Sequence, residues 1–278
     1  MSATPAPVAA RTPRTRAASL ARRAAVRTLQ ALLLPALLVL AWWWGSAASG
    51  SFYLPTPAAI ATAFGDVWFG ERFTGDALPS IGRLLTGFAL AAVLGVGLGL
   101  PLGLSPHVRA LAEPVLEFFR AIPPPVLVPL LMLLIGVNTP MRLAVIVSGC
   151  IWPILLNTVE GVRAVDPVLA DTCRCYGVRG RRRLTTLVLR SASPQIMAGL
   201  RQGLSIAIIL MVISEMFASN SGLGYTVQEF QRSFAIPEMW TGIIFLGLLG
   251  VLLSALFGLV ERRVLAWYHG LRAAVRDG

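Results

Sequence analysis

Lysine is missing from this 278-residue chain, in which all 24 basic residues are arginine. Without lysine no G-x-x-x-x-G-K-[ST] loop can be built, so the chain cannot hydrolyse ATP by that route. Histidine occurs twice, at His107 and His269, each isolated, which excludes a histidine-based catalytic or metal cluster. Three cysteines, Cys150, Cys173 and Cys175, give no disulfide framework. Cys173 and Cys175 have no histidine nearby and read as small buried thiols rather than metal ligands. Charge of either sign is scarce: 13% of residues carry one, about half the share usual in soluble domains. No internal repeat is visible, which gives no support to a carrier built from inverted halves. No pair of carboxylates is expected at helical spacing within an apolar span. Together these absences exclude an enzyme active site of the chain's own, and no cofactor or metal is expected.

Apolar residues are abundant, at 56%. Several windows hold the roughly 20 consecutive apolar residues that a helix needs to cross a bilayer. The fold class that follows is all-α: a polytopic membrane protein with six transmembrane helices. The net charge of +11 then has an explanation other than nucleic acid, because arginine collects in the cytoplasmic loops of membrane proteins. The arginines flank apolar spans, which disfavours a nucleic-acid partner and favours lipid.

In chain order, residues 1–28 hold six arginines and no acid and read as a basic, disordered cytoplasmic tail. The small residues after Trp44 offer the alternative of a signal-peptide cleavage site. A first span, about 29–44, closes on Trp42, Trp43 and Trp44, residues that favour the membrane–water interface. Thr56 is placed to cap a short amphipathic helix from Pro57 on the outer surface, so residues 29–76 form one section, the first span and an outer segment. The next section, 77–263, starts with a second span at 84–104, where Arg83 is expected to snorkel to headgroups. Its Gly95 and Gly99 favour close packing within the chain over a dimer seam. Pro123, Pro124 and Pro125 interrupt the third span just after Arg120. Either they break it, exposing backbone that lipid cannot solvate and that therefore lines a watery path, or they sit in the first turn of a helix that starts there. The fourth, fifth and sixth spans are expected at 143–156, 196–217 and 239–260, ahead of a cytoplasmic tail, 264–278. Glu215 near the outer end of the fifth span is an ionisable group at membrane depth, suited to attract a cation, hold a partner arginine or stabilise a gate. It reads as structural or gating rather than substrate-binding. Six spans put both termini on one side. The tail, the loop Arg163–Arg190 and the C-terminus carry 6, 7 and 4 arginines against one in each long outer segment, which makes that side cytoplasmic.

The stretch Ala170–Pro194 is the longest polar interruption in the second half. Gly177 and Gly180 follow a short helix and adopt positive φ cheaply, so the chain is expected to form a helix, a bend and a second helix returning to the membrane. This pattern resembles the "EAA" loop of the membrane subunits of bacterial ABC importers. Asp171, Thr172 and Cys173 stand where that family has its acid and two alanines, and Gly177 stands at the glycine. Leu187, Val188 and Leu189 fill the apolar turn; Arg190 replaces the first proline and Pro194 matches the second. Further stretches resemble, in order, the sulfonate, taurine and nitrate branch: the L-P-[ST]-P element before Ala58, the I-P-P-P run from Ile122, P-I-L-L-N-T from Pro153, V-D-P from Val165, and S-G-L-G-Y from Ser221. The resemblance covers about residues 50–265.

It implies a type I ABC importer permease fold in the bacterial inner membrane, importing a small anion such as a sulfonate, taurine or nitrate. The implied partners are a cytoplasmic ABC ATPase that binds the ATP, a periplasmic or lipid-anchored substrate-binding protein, and a second permease copy as a homodimer. Asp171, Thr172, Cys173, Tyr176, Gly177 and Arg179 would couple to the ATPase. Arg120, Pro123, Pro124, Pro125, Glu215, Ser221 and Gly224 would line the path or its gate. Two rival readings remain at this point: an ion-driven secondary carrier, and a membrane scaffold or regulatory subunit.

Overall fold

In lipid, backbone N–H and C=O groups have no water to bond with, so an apolar chain must pair them internally. The computed structural model describes residues 33–268 and residue 270, and among them the only regular elements are helices. Four are long and apolar enough to span a membrane: Phe73–Leu104, Thr139–Arg163, Gly180–Phe217 and Ile236–Val264. A fifth candidate is the pair Pro106–Ala121 and Pro124–Ile135, bent by 73°. With the apolar helix Leu33–Ser49, this is compatible with six spans. The basic tail 1–28 and the segment 271–278 lie outside the described residues.

We label the helices α1 (Leu33–Ser49), α2 (Pro57–Trp68), α3 (Leu78–Leu104), α4 (Pro106–Ala121), α5 (Leu127–Ile135), α6 (Thr139–Arg163), α7 (Pro167–Cys175), α8 (Gly180–Arg183), α9 (Leu189–Ala218), α10 (Leu223–Arg232) and α11 (Ile236–Val264). Wide π turns at Phe73–Ala77 and Leu184–Val188 run directly into α3 and α9. The chain divides into two compact units with the boundary between Thr62 and Ala63, inside α2. In the first unit, α1 runs past the three tryptophans to Ser49, and Trp44 is exposed. Thr56 Oγ1 accepts the Ala59 N–H at 3.3 Å and caps α2 as expected.

The second unit is organised around α6. A four-residue row on α3 brings Gly87, Gly95, Gly99 and Gly103 against Ile146, Ile154, Thr158 and Val162, themselves spaced by fours or eights along α6. A methyl group added to Gly99 would lie 2.7 Å from Thr158 Cβ and 3.0 Å from the Leu155 carbonyl oxygen. The other side of α6 receives α9 in the same way: a methyl on Gly199 would meet the Pro153 carbonyl oxygen at 2.8 Å, and one on Gly203 would meet Ile154 at 3.0 Å. Ile154 is thus held by glycines of both neighbours. Without a hydrophobic drive between helices in lipid, such close approach is what van der Waals packing requires. The G-x-x-x-G of α3 is therefore an internal seam. Gly99→Leu cannot be absorbed by rotating one side chain, because a carbonyl stands in the way. It should cost about 1–3 kcal/mol as an overpacked core site, read as a lowered unfolding temperature of the detergent-purified protein; an unchanged transition would refute the seam.

Four expectations need correction. α3 begins at Leu78, not 84, because Ser80 and Arg83 find buried polar partners and need not leave the bundle. Arg83 does not reach for headgroups; it turns inward onto Glu215. The broken span does carry carboxylates at helical spacing: Glu113 and Glu117 lie four apart on α4, and Glu117 is paired with Arg120 at 2.6 Å. Cys150 is buried as expected, but Cys173 is only half-buried and Cys175 is exposed. Among the described residues, no group of three or more His, Cys, Asp or Glu side chains could hold a metal ion.

Candidate functional site

The residues singled out above fall into three places along the bundle. The first is a buried polar cluster where α3, α9 and α10 meet. Glu215 is fully buried, a position tolerable for a carboxylate only when it is paired and hydrogen-bonded. It accepts from Arg83 Nη1 at 2.7 Å and from the Gly224 N–H at 3.1 Å, and Ser80 Oγ lies 2.7 and 2.9 Å from its two oxygens. Ser80 Oγ in turn accepts the Leu223 N–H at 2.9 Å. Asp76 receives the Gly222 N–H at 2.8 Å and Thr226 Oγ1 at 2.9 Å. Arg83 also reaches the Ser221 carbonyl at 3.5 Å. The first N–H groups of α10, orphaned by helix geometry, are thus satisfied by carboxylates and a hydroxyl from the other two elements.

The backbone here requires glycine. Gly222 has φ +123°, and a methyl on it would lie 2.6 Å from the Glu215 carboxyl carbon; one on Gly224 would lie 2.4 Å from the Val212 carbonyl oxygen. The same end of the bundle is tied by Arg72, which donates to Glu229 at 2.9 Å and lies 4.9 Å from the Phe230 ring centre. The hydrogen bond to Glu229, with the nearby Asp76, raises the Arg72 pKa against the opposing effect of burial. Trp68 Nε1 donates to Thr241 at 3.0 Å, joining α2 to α11 within the second unit.

Of the predicted residues, Glu215, Ser221 and Gly224 come together in this cluster. Asp76, Ser80, Arg83 and Thr226 were missed as its members. A signal was present: Asp76, Ser80 and Arg83 are spaced by four and three, one face of a helix, in an otherwise apolar run.

The second place is the proline break. Pro123 is extended, Pro124–Val126 form a tight 3₁₀ turn, and α5 follows. The span is broken, and Pro124 and Pro125 start its second half. Pro124 packs on α6 at Gly149, where an added methyl would meet it at 3.1 Å. The bend thus sits midway along the central helix. Arg120 does not join the Glu215 cluster and makes an exposed pair with Glu117.

The third place is the elbow after α6. Asp166 caps α7 by accepting the Val168 N–H at 2.7 Å. α7 ends as the glycine predicted: Gly177 has φ +67°, the Val178 N–H reaches the Cys173 carbonyl at 2.8 Å, and the Gly177 N–H reaches the Arg174 carbonyl at 3.1 Å. That pair of bonds is a Schellman closure. Gly180, at φ +55°, turns the chain again after the extended Arg179 and opens α8. No residue of α7 is buried. Asp171 pairs locally with Arg174 at 2.9 Å, and Thr172 Oγ1 bonds back to the Val168 carbonyl at 2.7 Å. Val168 and Tyr176 stand 70% and 82% exposed, apolar surface at the tip of the elbow. The base of the elbow is anchored, since Val188 and Ala192 are buried against Val162 of α6. From Leu189 to Glu215, α9 joins elbow and cluster as one helix, about 39 Å long at 1.5 Å per residue.

Comparison with known proteins gives the same answer from several directions. The bacterial SsuC protein of Bacillus subtilis, named for aliphatic sulfonate transport, is 29% identical over 241 residues, covering 86% of this chain and 87% of SsuC. The taurine transport system permease protein TauC of Escherichia coli is 28% identical over 191 residues, 69% of each chain. The bicarbonate transport system permease protein CmpB of Synechococcus elongatus is 28% identical over 189 residues, 68% of each chain. Two structures of the MetNI methionine ABC transporter share the fold, with TM-scores of 0.54 and 0.55 at 17% and 16% identity; the match covers 66% and 70% of this chain and 94% and 99% of theirs. The family model described as "binding-protein-dependent transport system inner membrane component" matches residues 91–266. This chain belongs to that family: it is a multi-pass inner-membrane permease subunit of an ABC importer, and not an enzyme.

Proposed function

We propose that this permease imports a small anionic solute of the sulfonate, taurine or bicarbonate kind, driven by a separate ATPase that docks on the α7 elbow. The observation that carries the reading is the continuity of α9: an exposed apolar elbow at one end, a buried ion-paired cluster at the other, and one helix between. ATP-driven closure of the ATPase subunits presses the elbow, through Asp171, Thr172, Cys173, Tyr176, Gly177 and Arg179. The anchored base passes that displacement to α6 and α9. At the far end it acts on the cluster of Glu215, Arg83, Ser221 and Gly224, which holds the outer side in register, while the bend at Pro123, Pro124 and Pro125, with Arg120 below it, lines the path. A switch of this kind needs contacts that differ between its states, and the elbow offers such contacts to the ATPase alone.

The assembly that follows has two copies of this subunit, two cytoplasmic ATPases that carry the ATP, and a periplasmic or lipid-anchored binding protein that selects the solute. Both termini and the arginine-rich elbow lie in the cytoplasm, in accord with the distribution of arginine. An ion-driven carrier finds little support, because the buried acid it would need, Glu215, is already engaged by Arg83, Ser80 and the Gly224 N–H. The solute class is tested by uptake in cells expressing the whole system. Unlabelled taurine, short alkanesulfonates and bicarbonate should compete with one another or with one of their number. Competition by amino carboxylic acids, and by neither the sulfonates, taurine included, nor bicarbonate, would refute the class.

A further inference from the structure

Outside these three places lies a groove of about 790 Å³ between Arg201 of α9 and the stretch 247–262 of α11. Its floor is made of small side chains, Gly250, Ser254 and Gly258, spaced by fours, and its mouth carries Arg201 and Arg262. Arg201 bonds to Glu261 and lies over Gly258, where an added methyl would be 3.8 Å from its Nη2. Two arginines, Arg201 and Arg262, thus stand at the mouth with one acid, Glu261. From Gly247 to Arg262 the groove runs about 22 Å along α11, enough to reach from the headgroup region past the ~15 Å acyl depth of one leaflet.

We infer that this groove binds an anionic phospholipid of the leaflet on the elbow side, with its phosphate at Arg201 and Arg262 and an acyl chain along Gly258, Ser254 and Gly250. The proposal uses the orientation given above, in which that leaflet is cytoplasmic, but not the transport reading. Charge decides the occupant. Arg201 and Arg262 against the one acid Glu261 leave the mouth positive, and an anionic headgroup complements it, as it does juxtamembrane arginines at anionic membrane surfaces. The apolar surface of α11 around the groove, including Val251 and Leu259, is exposed, so a chain lying there is flanked by surface of its own polarity.

The test is native mass spectrometry of the full-length permease in detergent, titrated with phosphatidylglycerol or phosphatidylcholine. Wild type should retain phosphatidylglycerol over phosphatidylcholine. Arg262→Gln, which leaves the Arg201–Glu261 pair in place, should reduce that preference about fivefold, and Arg201→Gln should reduce it similarly. Gly247→Leu, at a position with no atom within 4 Å of an added methyl, should block the groove without disturbing the fold and lower retention of both lipids. Equal retention of the two lipids, or a preference unmoved by either arginine variant, overturns the proposal. So does efficient disulfide formation between copies carrying Ser254→Cys in membranes, which would place a second chain in the groove. None of these readouts depends on transport, so they fail separately from the importer mechanism.

Discussion

Arg83→Met will destabilise the permease by about 3–5 kcal/mol, the range for removing one partner of a buried ion pair. The reason lies in where the pair sits. Glu215 has no solvent to turn to, and Arg83 is only 12% exposed, so the deletion leaves a carboxylate in a water-excluded pocket. Glu215→Gln keeps the shape and one acceptor but leaves Arg83 facing a neutral amide, and should cost somewhat less. The double variant Arg83→Met with Glu215→Gln removes both charges together, and should recover much of the loss of either charge deletion, because buried pairs are worth little against an uncharged replacement. The check is a double-mutant cycle on unfolding of the detergent-solubilised protein. Additive effects, with the double variant worse than either single one, would mean that Arg83 and Glu215 do not act as a pair. If the cluster also holds the outer side in register, the recovered double variant should bind ATPase normally yet transport poorly, since stability returns while the α3–α9–α10 tie is altered.

Tyr176→Ala combined with Val168→Asp will weaken ATPase binding without weakening the fold. Both side chains are exposed, and no packing within the chain is lost with them. Aromatic anchors at protein interfaces commonly cost 2 kcal/mol or more on truncation, a loss of about 30-fold in affinity. Titration of the purified permease with its ATPase should show at least that loss at an unchanged unfolding temperature. An affinity within about twofold of wild type would take these residues out of the docking surface.

The elbow was legible in the sequence because its signals are local. Asp166 before Pro167 caps a helix, and Gly177 and Gly180 must take positive φ, which no neighbour need dictate. The glycine seam of α3 could be read as close packing for the same reason, though not which helix filled it: that Ile154 lies between Gly95 and Gly203 depends on two contacts far apart in sequence. Arg83 was misjudged because an arginine near a span end ordinarily reaches for headgroups, and its partner lies 132 residues away. α10 is not visible in the sequence, since its mixed polarity hides a short helix until Asp76, Ser80 and Glu215 are seen to cap it. The proline break was visible as a break, while its seat on Gly149 was not. Local turn chemistry shows in a single sequence; the pairing of buried charges across helices does not.

The central claim is that nucleotide-driven force enters at the elbow. The most direct measurement is solute uptake into proteoliposomes holding this permease with its ATPase and binding protein, before and after residues 167–178 are replaced by a glycine–serine linker. The account predicts ATP-dependent uptake with the native elbow, none without the ATPase, and loss of uptake in the linker protein even though it inserts and folds. Uptake at the native rate after the replacement, or with no ATPase present, would contradict it.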